Sequence, residues 1–379
     1  MNVLLVNPYY QPIGGTEQRI AALAAEFRKR GHKTSFLVHG EPGTGNAFPD
    51  FSVCTSTSNM SRIIARKIIE RDKIDLVQQH NYQNVGNGAI LAAKDKKIPS
   101  VYYAHDFCSI CLRRFLADGT DPDVKPCNLT DPNRCSSCVD PYQGHVHRKE
   151  TEVLQSASLG VAPSKFFIDI LEAHNVLKDK WVKVTPWISS FYRDFFWSGY
   201  CSNTVMFAGN LTPGKGVFTL VKALPKILKE IPDATLRCFA GGDIAPVILE
   251  AKKLNVLNHL QLSQPVPTEK LVFEYINAGV VCFPSRLQEA FGLIWAEAMT
   301  VGAPVICSRI GSIPELSQGY IPLIEPGNVD AWSEAILTVL QDRQESVKLA
   351  KTNKAWAKTI FSVEEAANEI MKQYESLIK

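Results

Sequence analysis

Short apolar runs and longer stretches of helical periodicity alternate along the whole 379-residue chain. The runs at Asn2–Asn7, Thr34–Val38, Asp75–Gln78, Ser100–Ala104, Leu159–Ala162 and Val182–Thr185 have strand length and little polar alternation. That is the pattern of parallel strands covered on both faces. The second half repeats it at Thr204–Ala208, Ala234–Ala240, Leu260–Ser263 and Val280–Phe283. Helical spacing runs through Glu17–Arg30, Arg62–Lys73, Val217–Lys229, Leu293–Thr300, Asp330–Gln341, Glu345–Ala357 and Val363–Ile378. The strand–loop–helix–strand order predicts a doubly wound α/β architecture in each half. Pro186 to Ser202 reads as the linker between them, and no internal repeat or low-complexity tract is present.

Most of the candidate chemistry lies between Phe283 and Gly302, FPSRLQEAFGLIWAEAMTVG. A buried strand ends at Pro284-Ser285, a polar loop carries Arg286 and Glu289, and a helix starts after Ala290-Phe291-Gly292. Free amides and the positive dipole end make a helix start an anion site. Glu289 stands just before it, and Glu297 is expected about two turns into the helix. Carboxylates accept from sugar hydroxyls and helix starts accept phosphate, so the pair suits a sugar joined to a nucleotide by phosphates. A surface loop with an amphipathic helix is the plain alternative.

Other candidates lie at strand ends. Gly14-Gly15 sits where the first strand hands over to the first helix, where glycine lets backbone approach a ligand closely. His105-Asp106 and Gly241-Gly242-Asp243 also follow strands, the edge at which open α/β sheets bind ligands. Gly209 to Gly216 (GNLTPGKG) follows a strand and opens a helix, as a P-loop does. The residue after Lys215 should then be Ser or Thr, and Gly216 cannot hold magnesium. Asp121-Pro122-Asp123 formally fits a divalent-ion D-x-D, but its proline and flanking turn-formers favour a loop.

Glu289 and Glu297 form an E-x7-E pattern, flanked by Pro284-Ser285, Phe291-Gly292, Glu297-Ala298-Met299, Gly302-Ala303-Pro304-Val305 and Gly311-Ser312-Ile313-Pro314-Glu315. In these motifs the chain resembles the retaining, GT-B-fold glycosyltransferases of family 4. The resemblance is strong from Val205 to Gly327, moderate from Met1 to Asp106 and poor across the cysteine-bearing insert at 108–141. It implies two Rossmann-like domains facing across a cleft: 1–188 on the acceptor side, 200–361 binding the donor, and 362–379 crossing back to the first. It implies that Lys215-Gly216 and the amides from Ala290 to Leu293 hold the donor diphosphate, beside Gly14-Gly15. Glu289 would hold hydroxyls of the transferred sugar, Glu297 the ribose, His105 the sugar and its phosphate, and the Gly241 turn the base. Retention is thought to proceed on one face, the leaving phosphate taking the acceptor's proton, with no metal needed. Two departures stand out. Asn210 occupies the place of the family's diphosphate-gripping Arg, which implies weaker diphosphate binding or a cation supplied elsewhere, Arg286 being one candidate, and Pro186-Trp187-Ile188-Ser189 replaces an Asn-Gly-Ile/Val-Asp stretch.

Composition narrows the partners. A formal net charge of +3 is too mild to argue for nucleic acid. The N-terminus lacks a signal-peptide pattern and no apolar stretch approaches a membrane span, so a cytoplasmic protein is expected. The Asn128-Leu129-Thr130 sequon then carries no meaning. The basic amphipathic stretch at 62–73 suggests peripheral contact with an anionic membrane, or simply a solvated helix face. Five of the ten cysteines, Cys108, Cys111, Cys127, Cys135 and Cys138, cluster in an insert at 108–141. Paired C-x-x-C motifs in a loop with little core of its own suit a structural metal, zinc first and an iron–sulfur cluster second. A subset of family 4 enzymes carries a similar insert, and that likeness implies Cys111, Cys127, Cys135 and Cys138 as ligands.

The resulting expectation is transfer of a sugar from a UDP- or GDP-sugar to a glycan, lipid-linked or small-molecule acceptor. An epimerase or hydrolase on the same fold would turn over the donor without acceptor. A binding scaffold would do neither.

Overall fold

The computed structural model describes residues 1–8, 15–39, 51–54, 58–117, 127, 141–199 and 202–379. Gly14, Asp121-Pro122-Asp123, the Asn128 sequon, Cys135 and Cys138 lie outside them. The chain divides into two compact units. One comprises Met1–Leu116, Asn128–Ser189 and Ser362–Lys379; the other comprises Ala117–Cys127 and Ser190–Phe361.

In the first unit the elements run β1 (Asn2–Asn7), α1 (Gly15–Lys29), β2 (Lys33–His39), β3 (Phe51–Cys54), α2 (Ser58–Asp72), β4 (Leu76–Gln79), α3 (Gly88–Lys96) and β5 (Ser100–Tyr103). Then come α4 (Pro141–Leu154), β6 (Leu159–Ala162), α5 (Lys165–Ala173) and β7 (Trp181–Lys183). The strands form a parallel sheet in the order β3-β2-β1-β4-β5-β6-β7. Its central strands β4 and β5 are buried along their whole length.

In the second unit the order is β8 (Thr204–Asn210), α6 (Val217–Glu230), β9 (Thr235–Gly241), α7 (Ala245–Lys253), β10 (Leu260–Ser263), α8 (Thr268–Asn277), β11 (Val280–Phe283) and α9 (Leu293–Val301). β12 (Val305–Ser308), α10 (Ile313–Ser317), β13 (Leu323–Ile324), α11 (Val329–Gln341) and α12 (Arg343–Ile360) follow. This sheet is also parallel, ordered β10-β9-β8-β11-β12-β13. Both units are Rossmann-like, each with a parallel sheet in the same strand order.

The final helix, α13 (Val363–Ile378), belongs to the first unit. Ser362 caps it by accepting from Glu365 N at 3.2 Å. Ile370 and Tyr374 pack with Phe27 of α1 and Val3 and Leu5 of β1 in one core. Burying each such large apolar side chain contributes roughly 1.5–3 kcal/mol.

The stretch from Pro186 onward is not the solvated linker its composition suggests. Trp187, Ile188 and Tyr192 are all buried. The Trp187 indole donates to Arg19 O at 3.0 Å, and the Arg19 guanidinium lies 4.7 Å over its ring. The boundary between the units falls just after, between Ser189 and Ser190.

Candidate functional site

In the second sheet, β9 lies on one side of β8 and β11 on the other, so the order reverses between β8 and β11. A crevice at the carboxyl ends of such strands is where open sheets bind ligands. The loop after β8 carries Lys215 in a short 3₁₀ turn, Pro213–Lys215. The loop after β11 carries Ser285, Arg286 and Glu289. The structure brings these loops together. Lys215 Nζ lies 2.7 Å from Glu289 Oε1, and Ser285 Oγ donates to the same oxygen at 2.6 Å. Arg286 N donates to Gly214 O at 2.8 Å.

Close backbone approach makes this possible. Gly216 has φ +79°, and a Cβ there would stand 1.8 Å from Pro284 O. The turn at Gly311 holds Glu289 from behind: Ser312 N donates to Glu289 O at 2.9 Å, and a Cβ on Gly311 would meet that oxygen at 2.3 Å. Among the described residues no donor reaches Glu289 Oε2, leaving that oxygen for another partner. The start of α9, after Gly292, has no side-chain cap, so its amides remain available to an anion.

Glu297 departs from expectation. Because α9 begins only at Leu293, Glu297 lies about one turn inside it rather than two. It is buried, and Tyr275 donates from its hydroxyl to Oε2 at 2.8 Å, with Tyr192 beside them. Burial raises its carboxyl to about 7, against the lowering effect of the two phenols. Asn210 is exposed at the end of β8, paired in register with Gly241 of β9. The Arg286 guanidinium packs beside the Gly327 turn.

In the first unit, His105 follows β5 and is half-buried. Its ring stacks on Tyr103 and His80, with centroids 4.7 and 5.0 Å away. His80 Nδ1 and His105 Nε2 are 2.7 Å apart. Burial, then the neighbouring His80, Arg19 and Arg114, holds His105 well below the ordinary histidine range. Asp106 accepts from Cys108 N, Asn81 Nδ2 and Arg114 Nε at 2.8, 2.9 and 2.9 Å, which fixes the chain as it leaves β5. Gly15 begins α1.

Two family descriptions match this chain: Glycosyltransferase Family 4 over residues 13–188 and Glycosyl transferases group 1 over residues 201–356. The chain is a GT-B protein built of family 4 and group 1 glycosyltransferase domains. Over 186 residues it is 31% identical to D-inositol 3-phosphate glycosyltransferase of Corynebacterium glutamicum, covering 47% of this chain and 44% of that protein. The match thus spans less than half the length of that relative. Phosphatidyl-myo-inositol mannosyltransferase of Mycobacterium tuberculosis is 24% identical over 395 residues, covering 100% of this chain and 97% of that one. Among solved structures, HepE of Anabaena in complex with UDP superposes with a TM-score of 0.76 at 18% identity, over 100% of both chains.

In each unit some residues escaped the sequence reading. Tyr275 and Tyr192 meet Glu297 from distant segments, and His80 reaches His105 from the end of β4. For His80 the polar run Gln78-Gln79-His80 was a visible signal; for the two tyrosines there was none. The cysteines divide. Cys108 is buried, its thiol within 3.5 Å of the Tyr102 hydroxyl, and burial pushes its pKa well up. Cys111 and Cys127 are partly exposed. Among the described residues no group of three or more His, Cys, Asp or Glu could hold a metal. The basic stretch at 62–73 lies on α2, where Arg62 and Arg66 pair with Asp95 and Arg71 with Asp72. No helix among the described residues is long and apolar enough to cross a membrane.

Proposed function

We propose that the chain is a retaining glycosyltransferase moving a sugar from a UDP- or GDP-sugar, with no metal in the chemistry. The observation that carries this is the Lys215–Glu289–Ser285 cluster at the switch point of the second sheet, next to the uncapped start of α9. Lys215 and the α9 amides would stabilise charge developing on the departing diphosphate, where catalysis by preorganised donors is strongest. As Lys215 turns to phosphate, Glu289 is released to accept hydroxyls of the sugar. Glu297, seated on Tyr275, takes the ribose hydroxyls with its remaining lone pairs. The relatives named for inositol-bearing substrates support an inositol-type acceptor, free or lipid-linked. A lipid-linked acceptor would bring the protein to a membrane surface.

The test is thermal stabilisation by nucleoside diphosphates and nucleotide sugars with EDTA present, for the native chain and for Glu297→Ala. A ligand that binds only the folded state must raise the melting temperature. A shift with UDP or GDP compounds, reduced in the variant, supports the reading; no shift with any nucleotide sinks it. NMR of the product's anomeric centre then tests retention. Zinc on Cys111, Cys127, Cys135 and Cys138 is a separate proposal. Elemental analysis of the purified protein should find zinc that Cys111→Ser loses, and iron would mark a cluster instead.

A further inference from the structure

We propose that Tyr374, Gln78 and His80 form a relay of hydrogen bonds that fixes His105 as the Nδ1–H tautomer, a directed donor to a ligand oxygen. The proposal rests on the reading of His105 as part of the donor site and adds what sets the proton on its ring.

The side chains stand in line. The Tyr374 hydroxyl contacts Gln78 Oε1, Gln78 Nε2 lies 2.9 Å from His80 Nε2, and His80 Nδ1 lies 2.7 Å from His105 Nε2. Tyr374, Gln78 and His80 are fully buried. Burial, and secondarily Arg19, holds His80 down to about 3, so it is neutral across the physiological range. A neutral imidazole has one donor nitrogen and one acceptor nitrogen. Setting either end of the line therefore sets every member.

The phenol sets it. Among the described residues the Tyr374 hydroxyl has one acceptor in reach, Gln78 Oε1. If it donates there, Gln78 offers its amide hydrogen to His80 Nε2. His80 then carries its proton on Nδ1 and donates to His105 Nε2, which leaves the His105 proton on Nδ1. In the opposite direction the Gln78 amide would be turned over, and the buried phenol hydrogen would be left without an acceptor among the described residues. His105 Nδ1 is shut off from water and has no partner among the described residues. The relay thus ends on a donor without an acceptor, held in place by the Tyr103 ring at 4.7 Å. A phosphate or sugar oxygen completes it. Gln78, His80 and Tyr374 are positioning residues; none touches the ligand.

The experiment is nitrogen-15 NMR of histidine-labelled full-length protein, which distinguishes protonated from bare ring nitrogens. The native chain should show His105 protonated on Nδ1 and bare on Nε2. Gln78→Glu presents an acceptor to His80 Nε2, so both rings should invert. Tyr374→Phe removes the anchor with little change of shape and should give a mixture. His105 protonated on Nε2 in the native chain, or an unchanged ring in a folded Gln78→Glu, overturns the relay. Turnover supplies a second readout. Asparagine can place its amide where Nδ1 stands and glutamine where Nε2 stands. His105→Asn should keep kcat within about 10-fold of native while His105→Gln loses about 100-fold, the usual reach of a positioned proton donor; the reverse order overturns the proposal. NMR as expected with no nucleotide binding at all would keep the relay and remove the glycosyltransferase reading.

Discussion

The carboxyl edges of the two sheets share a topology and differ in electrostatics. The second edge gathers opposite charges, Lys215 against Glu289, in contact with a hydroxyl and a helix start. The first gathers neutral rings, His80 and His105, whose burial suppresses charge. A fold that places ligands at strand ends leaves the chemistry there to the loops. One edge is suited to receive an anion and the other to point a single hydrogen. The contrast can be broken from either side.

The largest effect is expected from Lys215→Met, which removes the cation from the charged edge. Transfer kcat/KM should fall by about 10²–10³-fold, the scale of losing one preorganised donor. Steady-state kinetics checks it, and an unchanged value would move the phosphate site elsewhere. Gly216→Ala should cost about 3 kcal/mol of stability, because it combines a left-handed backbone with a clash against Pro284 O. Urea unfolding reads it, and a near-neutral result would mean that the two loops part easily.

Glu297 makes a pH prediction. Its folded pKa, about 7, lies above the ordinary 4.5, so the folded state holds a proton that the unfolded state has lost between those values. Stability then falls as pH rises through that window, by about 3 kcal/mol. In Glu297→Gln the contribution should vanish, leaving the variant the more stable at pH 8 and the poorer nucleotide binder. Urea midpoints at pH 5 and pH 8 decide it. The smallest effect belongs to Ser362→Ala, which uncaps α13 on the neutral side and should cost about 1 kcal/mol. If His105 NMR also shifts in that variant, the relay feels the helix that carries Tyr374.

Apolar pattern revealed the frame well. β6, β10, β11 and α13 occupy the residues their hydrophobic spacing picks out. The E-x7-E stretch located both the loop after β11 and the helix that follows. What escaped was the partnership of polar groups. Gln78-Gln79-His80 resembles the solvent-facing end of a strand, yet all three are buried. Their burial is tolerable because Tyr374, nearly 300 residues away along the chain, meets Gln78. Tyr192 and Tyr275 were hidden for the same reason, since no local pattern announces a hydrogen bond to Glu297. Trp187 was missed differently: it lies in a stretch read as a linker, whereas the cation of Arg19 and the α1 carbonyl give its indole a buried seat.

Because α13 completes the core that also contains Val3 and Phe27, the first unit is sewn from segments that lie on either side of the second unit in sequence. During synthesis the ribosome releases residues 190–361 before it releases that helix. The second unit can therefore mature first, reversing the usual N-to-C order of domain folding. Until Val363–Ile378 emerges, the nascent first unit must wait with an apolar seam open, and this is the interval in which chaperones would find it. A released chain truncated before Ser362 should accordingly lose the first unit to protease sooner than the second.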